Sequence, residues 1–314
     1  MKQFFLFLGL ALISFSCAKN DSNDDNIAPD QVSNRQCASY DVLQAQIAAD
    51  PARLANLEAL ESFTENFIRQ HEDGNRVVNT IEVVVNVLYK TAAQNISDAQ
   101  IQSQITALNQ DYAASNSDYV NIPSAFTGVA AGNTEIEFVL SQIIRKSTNK
   151  NSWQANDAMK SVNQGGLSPT NPTTKLNIWV CNLGGGLLGY AQFPGGPPST
   201  DGVVIDDNAF GTTGTAAYPF NKGRTATHEV GHWANLRHIW GDATCGSDLV
   251  SDTPVHNAYN AGCPTQPHYS TCTGNPREMT MNYMDYTYDA CMYMFSTGQK
   301  SRMLAAMASS RSAY

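Results

Sequence analysis

The chain has 314 residues, 42% of them hydrophobic and 15% charged, with a formal net charge of -9. That apolar content excludes a disordered chain, and the length supplies a core that needs neither a disulfide scaffold nor an oligomer, so a monomer is expected. The acidic balance excludes the basic footprint of a nucleic-acid binder, and past the N-terminus no uncharged apolar run reaches the roughly 20 residues of a membrane-spanning helix.

Met1-Lys2 followed by the apolar stretch Phe4 to Phe15 reads as a signal peptide over residues 1–17. Ser14-Phe15-Ser16-Cys17 resembles a lipoprotein cleavage site without its usual Leu, so Cys17 is a lipidation candidate and plain secretion is the alternative. The expected location is outside a bacterial cell, either secreted or as an outer-membrane or cell-surface lipoprotein. Ala18 to Asp30 is polar and acidic and reads as a tether.

Residues 38 to 70 read as helical. Asp50-Pro51 supplies an N-cap and a proline at N1, with Leu54, Leu57, Leu60, Phe63 and Phe67 on one face. The run 71–75, HEDGN, breaks that pattern. Ile81 to Tyr89 is β-branched and apolar, a buried strand. Ser97 to Gln100 reads as a capping box opening a helix that carries Ile101, Ile105, Leu108 and Tyr112. Thr134 to Ile144 and Leu176 to Cys181 are further strands. A short edge strand is expected at Val203 to Ile205, a helix from Asn221 to Asn235, loops from Ile239 to Phe295, and a closing helix from Thr297 to Ala308. This order points to an α+β (or α/β) layered domain.

His228-Glu229-Val230-Gly231-His232 places two imidazoles a helical turn apart on one face, a spacing that lets both reach a single Zn2+. Glu229 cannot point the same way as both ligands, and it can reach a water at the metal as a general base. His238 is a third candidate ligand, provided the helix ends between them. Asn235 is the best non-glycine candidate for the left-handed turn this requires.

The segment HEVGHWANLRH resembles the metzincin zinc-protease pattern H-E-x-x-H-x-x-G-x-x-H, with Asn235 in place of the glycine. Asn282-Tyr283-Met284-Asp285-Tyr286 is similar to a metzincin Met-turn, with Met284 beneath the metal. Together the two motifs resemble the pappalysin family, especially its short bacterial members, over roughly residues 76 to 314 and upstream to Arg35-Gln36-Cys37. The resemblance implies a mixed twisted sheet with the active-site helix above a loop-rich lower subdomain. It divides the chain into a tether and prosegment over 18–75, an upper subdomain over 76–238 and a lower one over 239–314.

It also implies roles for individual residues. His228, His232 and His238 would hold zinc, Glu229 would be the general base, and Tyr286 would steady the oxyanion (its alternative is a packed core tyrosine). Of the seven cysteines, Cys245 would pair with Cys272 and Cys263 with Cys291. Cys37 would be a cysteine switch that keeps a zymogen silent, with a Cys37–Cys181 bridge as the alternative. Family members prefer a basic residue just after the cut bond, which makes Asn75-Arg76 the autolysis candidate. Asp289 is the candidate pocket acid, unless it is a solvated loop carboxylate. Ca2+ is implied at Asp248, Asp252 and Thr253, against an Asx turn without an ion. The strand near Val203 to Asp206 would pair with an extended peptide substrate. His71, His256 and His268 read as surface residues. The expected function is a secreted or surface-anchored zinc endopeptidase acting on proteins or peptides. The alternative is a zinc-containing binding module that has lost catalysis, for which Glu229 would be unnecessary.

Overall fold

In the computed structural model, five strands form one mixed sheet in the order β2-β1-β3-β5-β4. The described residues are 34–71 and 78–314. Cys17 with the rest of the signal segment, and the Asn75-Arg76 autolysis candidate, lie outside them. No helix among the described residues is long and apolar enough to cross a membrane.

The strands are β1 (Asn79–Tyr89), β2 (Ile136–Ser147), β3 (Leu176–Cys181), β4 (Gly189–Ala191) and β5 (Val203–Asp206). All pairings are parallel except β4 with β5. Parallel strands joined by crossovers are covered on both faces, which explains the continuous apolar run in β1 and the complete burial of β3. Ile178 and Val180 enter the larger core beside Ala226 and Val230, while Trp179 and Cys181 enter a second cluster with Trp153, Met159 and Tyr190.

The helices are α1 (Ser39–Ala49), α2 (Ala52–Gln70), α3 (Asp98–Tyr112), α4 (Arg224–Trp233) and α5 (Thr297–Met307). The helical stretch 38–70 breaks at Asp50-Pro51, where the Asp50 carboxylate accepts the Ala52 N–H and Pro51 opens α2. Three expectations need correction. The buried face of α2 runs through Arg53, Leu57, Leu60 and Thr64, leaving Leu54 and Phe63 48% and 39% exposed. The helix is rolled so that the Arg53 guanidinium can donate to the Phe193 and Pro194 carbonyls.

At α3 only half of the capping box forms. Ser97 accepts the Gln100 N–H, but the Gln100 amide turns away to Phe210 O and Thr215 Oγ1. The complete box sits at Ser296 and Gln299, opening α5. Finally, the strand at Val203 is interior, and the sheet edge is the three-residue β4. A single strand's sequence does not say which neighbours flank it.

Below α4, residues 234–296 are mostly loops, stapled by two interleaved disulfides, Cys245–Cys272 and Cys263–Cys291. They close loops with sequence separations of 27 and 28. Removing either bridge by paired Cys→Ser substitution is expected to cost about 3–4 kcal/mol through the freer unfolded chain. Equilibrium denaturant unfolding of the variants against the parent chain measures it.

Candidate active site

Helix α4 starts after Gly223, whose φ of +76° turns the chain into the helix, and every residue of the helix is buried. His228 and His232 sit one turn apart with their Nε2 atoms 3.1 Å from each other. The helix ends at Trp233, and Asn235 takes the left-handed conformation the sequence called for, at φ +74°. The Leu236 N–H closes back onto Gly231 O. This reversal carries His238 Nε2 to 3.1 Å from His232 Nε2. Asn235→Gly should keep the turn, whereas Asn235→Val should cost about 1–3 kcal/mol, because a β-branched residue resists positive φ. Thermal melting together with bound-metal stoichiometry checks both variants.

The Nδ1 atom of each histidine is held by an acceptor. His228 donates to Tyr283 O (2.6 Å), His232 to Leu236 O (2.8 Å) and His238 to Asp242 Oδ1 (2.5 Å). With Nδ1 as the protonated atom, the three Nε2 lone pairs face one another. Burial pushes His228 and His232 well below the usual imidazole range, so they remain neutral. Nitrogen donors at about 2.0–2.1 Å around a tetrahedral ion sit roughly 3.3 Å apart, so the cluster fits zinc. Cys37 Sγ completes a group whose donor atoms all lie within 4.8 Å of one another. Among the described residues, no other set of three or more His, Cys or carboxylate ligands converges this closely.

Glu229 is 1% exposed, and its Oε2 accepts from the Ser39 hydroxyl (2.8 Å) and the Cys37 thiol (3.3 Å). Burial raises its carboxyl to about 7. Burial and this neighbouring carboxylate also push the Cys37 thiol well above its ordinary value, so a thiolate there requires a cation among the imidazoles. Cys37 is not bridged to Cys181; both are free, with Cys181 buried in β3.

The Tyr286 hydroxyl accepts the Cys37 N–H (3.3 Å) and donates to Cys37 O (3.1 Å), its ring 5.0 Å from that of His238. Met284 is fully buried against α4. A Cβ on Gly231 would lie 2.6 Å from the Met284 sulfur, so any larger residue there requires the Met284 side chain to shift.

Residues 35–39 run along the sheet edge. Cys37 bridges Gly189 of β4 in parallel, the Leu188 N–H donates to Gln36 O and the Ala38 N–H to Gly189 O, while the Ala191 N–H is taken by the Ser39 hydroxyl. β4, rather than Val203–Asp206, is therefore the sheet edge along which this segment pairs. Two residues before Cys37, the Arg35 guanidinium is buried and lies 2.5 Å from Asp289 Oδ1. Asp289 is fully buried and also accepts the Lys222 and Arg224 N–H groups, which rules out the solvated loop carboxylate. Arg35 further donates to Thr225 Oγ1 (3.0 Å) and lies over the Phe220 ring. On α2, Glu61 makes a two-pronged ion pair with Arg302 of α5 at 2.7 and 2.9 Å.

Sequence reasoning gave no role to Arg35, Ser39, Asp242 or the β4 edge. Arg35 lies beside Cys37 in the segment carrying the resemblance, which is the one clue the sequence offered. Asp248 accepts the Thr253 hydroxyl at both oxygens, and Asp252 accepts Ser296 Oγ and the Gly298 N–H at the start of α5. Both carboxylates are thus engaged with protein donors. His256, read as a surface residue, is completely buried and accepts the Met279 N–H, because the folded loops close over it. His71 is exposed, and His268 bonds Glu278.

Residues 171–308 match the peptidase family model described as Pregnancy-associated plasma protein-A. An extracellular metalloprotease of Arthroderma otae is 34% identical over 236 residues, spanning 72% of this chain and 77% of the relative. A Coccidioides posadasii extracellular metalloprotease 1 is 34% identical over 66% of this chain and 68% of its own length. Among solved structures, a Tannerella forsythia promirolysin mutant is 45% identical with a TM-score of 0.79, covering 87% of this chain and 94% of that one. Mature mirolysin from the same organism, in complex with a cleaved peptide, is 50% identical with a TM-score of 0.70, covering 73% of this chain and 92% of that one. With the fold and a zinc-compatible imidazole cluster already in place, these likenesses show that the chain belongs to the pappalysin family of metzincin zinc metalloendopeptidases.

Proposed function

We propose that this chain is a secreted or surface-anchored zinc endopeptidase made as a zymogen, in which residues 18–75 form the tether and prosegment and 76–314 the protease. His228, His232 and His238 would hold the zinc, and Cys37 would occupy the fourth position. The observation that carries this reading is the placement of the Cys37 thiol among the three imidazoles, with its segment also engaging Glu229 and Tyr286. The likeness to a pro-form that covers more of the chain than the mature form does supports it. Secretion is supported by the extracellular relatives.

When bound, zinc acidifies a water and polarises the scissile carbonyl. Glu229, once released from Cys37 and Ser39, takes the water's proton at its carboxylate and returns it to the leaving amine. The Tyr286 hydroxyl, freed from the Cys37 backbone, donates to the oxyanion that develops on the carbonyl. The N–H and C=O groups of β4 pair with the substrate backbone.

Arg35 in the Asp289 pocket models a basic side chain just after the cut bond. Direction matters here. The segment runs from the pocket to the imidazoles in its N-to-C sense, parallel to β4. A substrate with Arg or Lys after the cut must place the preceding carbonyl over the imidazoles, so it runs the opposite way. The segment thereby fills the cleft without presenting a peptide bond in productive register.

The test is to incubate purified protein with and without a chelator and sequence any new N-terminus. The expected result is chelator-sensitive self-processing with a basic residue after the cut. No processing, or cuts lacking a basic residue there, would overturn the latency and preference claims.

A further inference from the structure

Phe193, two residues beyond β4, is 4% exposed, and the apolar side chains in its cluster all come from the upstream segment: Leu43 and Ile47 of α1 and Leu57 of α2. Its ring lies 5.2 Å from that of His232. A cavity of about 440 Å³ continues from it, walled on one side by α1 and α2 and on the other by Phe193, Asn235, Arg237 and Asp242. The two carbonyls at 193 and 194 are occupied by Arg53, so the segment grips this corner through both polar and apolar contacts.

Direction again decides what this corner serves. Along β4, the basic pocket lies on the Leu188 side and Phe193 on the Ala191 side, with the imidazoles between them. We propose that, in the processed enzyme, Phe193 walls an apolar subsite that takes a bulky aliphatic or aromatic side chain two or three residues before the cut bond. In the latent chain, Leu43 and Leu57 occupy that subsite. This rests on the substrate direction set out above. The leucines show that the corner accepts aliphatic side chains, and a substrate crossing the imidazoles antiparallel to β4 must lay its upstream residues there.

The experiment uses self-processed enzyme and quenched peptides with Arg after the cut, varying the residue two or three positions before the bond among Leu, Phe, Ala and Asp. At one of these positions, wild-type kcat/KM should be about 10–100-fold higher for Leu or Phe than for Asp. Phe193→Ala should compress that ratio to within about threefold, and Phe193→Leu should retain most of it. A flat wild-type ratio overturns the proposal, and so does a Phe193→Ala ratio equal to the wild type's. Thermal melts of both variants separate a folding defect from a lost subsite. In the same peptides, Arg→Ala just after the cut reads the Asp289 pocket independently. Loss of that discrimination with the upstream preference intact counts against the basic preference alone and supports the Phe193 subsite.

Discussion

Glu229→Gln is expected to lower kcat/KM by about 10²–10⁴-fold, the usual worth of a positioned general acid–base. The substitution keeps volume and an oxygen that can accept from Ser39, so α4 and the imidazole cluster are retained. What is lost is a group that can bind and release a proton within reach of the imidazoles. Metal content by mass spectrometry and the melting temperature should match the parent chain, while steady-state peptide hydrolysis and self-processing both collapse. A variant that hydrolyses at the wild-type rate would falsify the mechanism.

Asp289→Asn should cut the Arg-over-Ala preference just after the bond by about 10²-fold or more. Replacing one partner of a buried, hydrogen-bonded charge pair costs about 2–5 kcal/mol. The carboxylate is fully buried and reaches the Arg35 guanidinium at 2.5 Å, so the pair is screened from water. Asn retains an acceptor for the Lys222 N–H but carries no charge. The paired measurement is kcat/KM on Arg and Ala peptides with the processed enzyme. Because Asp289 also organises the start of α4, Arg35→Ala in the full chain is the companion variant. It leaves the protease intact and should hasten self-processing. An unchanged Arg-to-Ala ratio in Asp289→Asn, with unchanged processing in Arg35→Ala, would refute the pocket assignment.

Both effects concern parts of the site that were unequally legible from residues alone. The two helical histidines and Glu229 follow from the local period of one helix. The need for positive φ at Asn235 follows from the geometry of bringing His238 back. Asp289 could only be nominated, because its partners lie far from it in the chain: Lys222 and Arg224 at the start of α4, and Arg35, 254 residues away. The sheet edge was assigned to Val203–Asp206 when it belongs to β4. The short Gly189–Ala191 stretch lies within a glycine- and proline-rich run that reads as loop.

The sequence by itself determined what one element or one turn can specify: four of the five strands and the helices, the imidazole spacing, the left-handed reversal and the family to which these motifs point. Tertiary structure alone decided the strand order that made β5 interior, the roll of α2 that buried Arg53 rather than Leu54, the closure of loops over His256, and the parallel run of the Cys37 segment along β4. The physical reason is range. Local patterns are fixed by backbone geometry over a few residues, whereas burial, ion pairing and the direction of one strand past another are set by contacts between residues far apart in the chain.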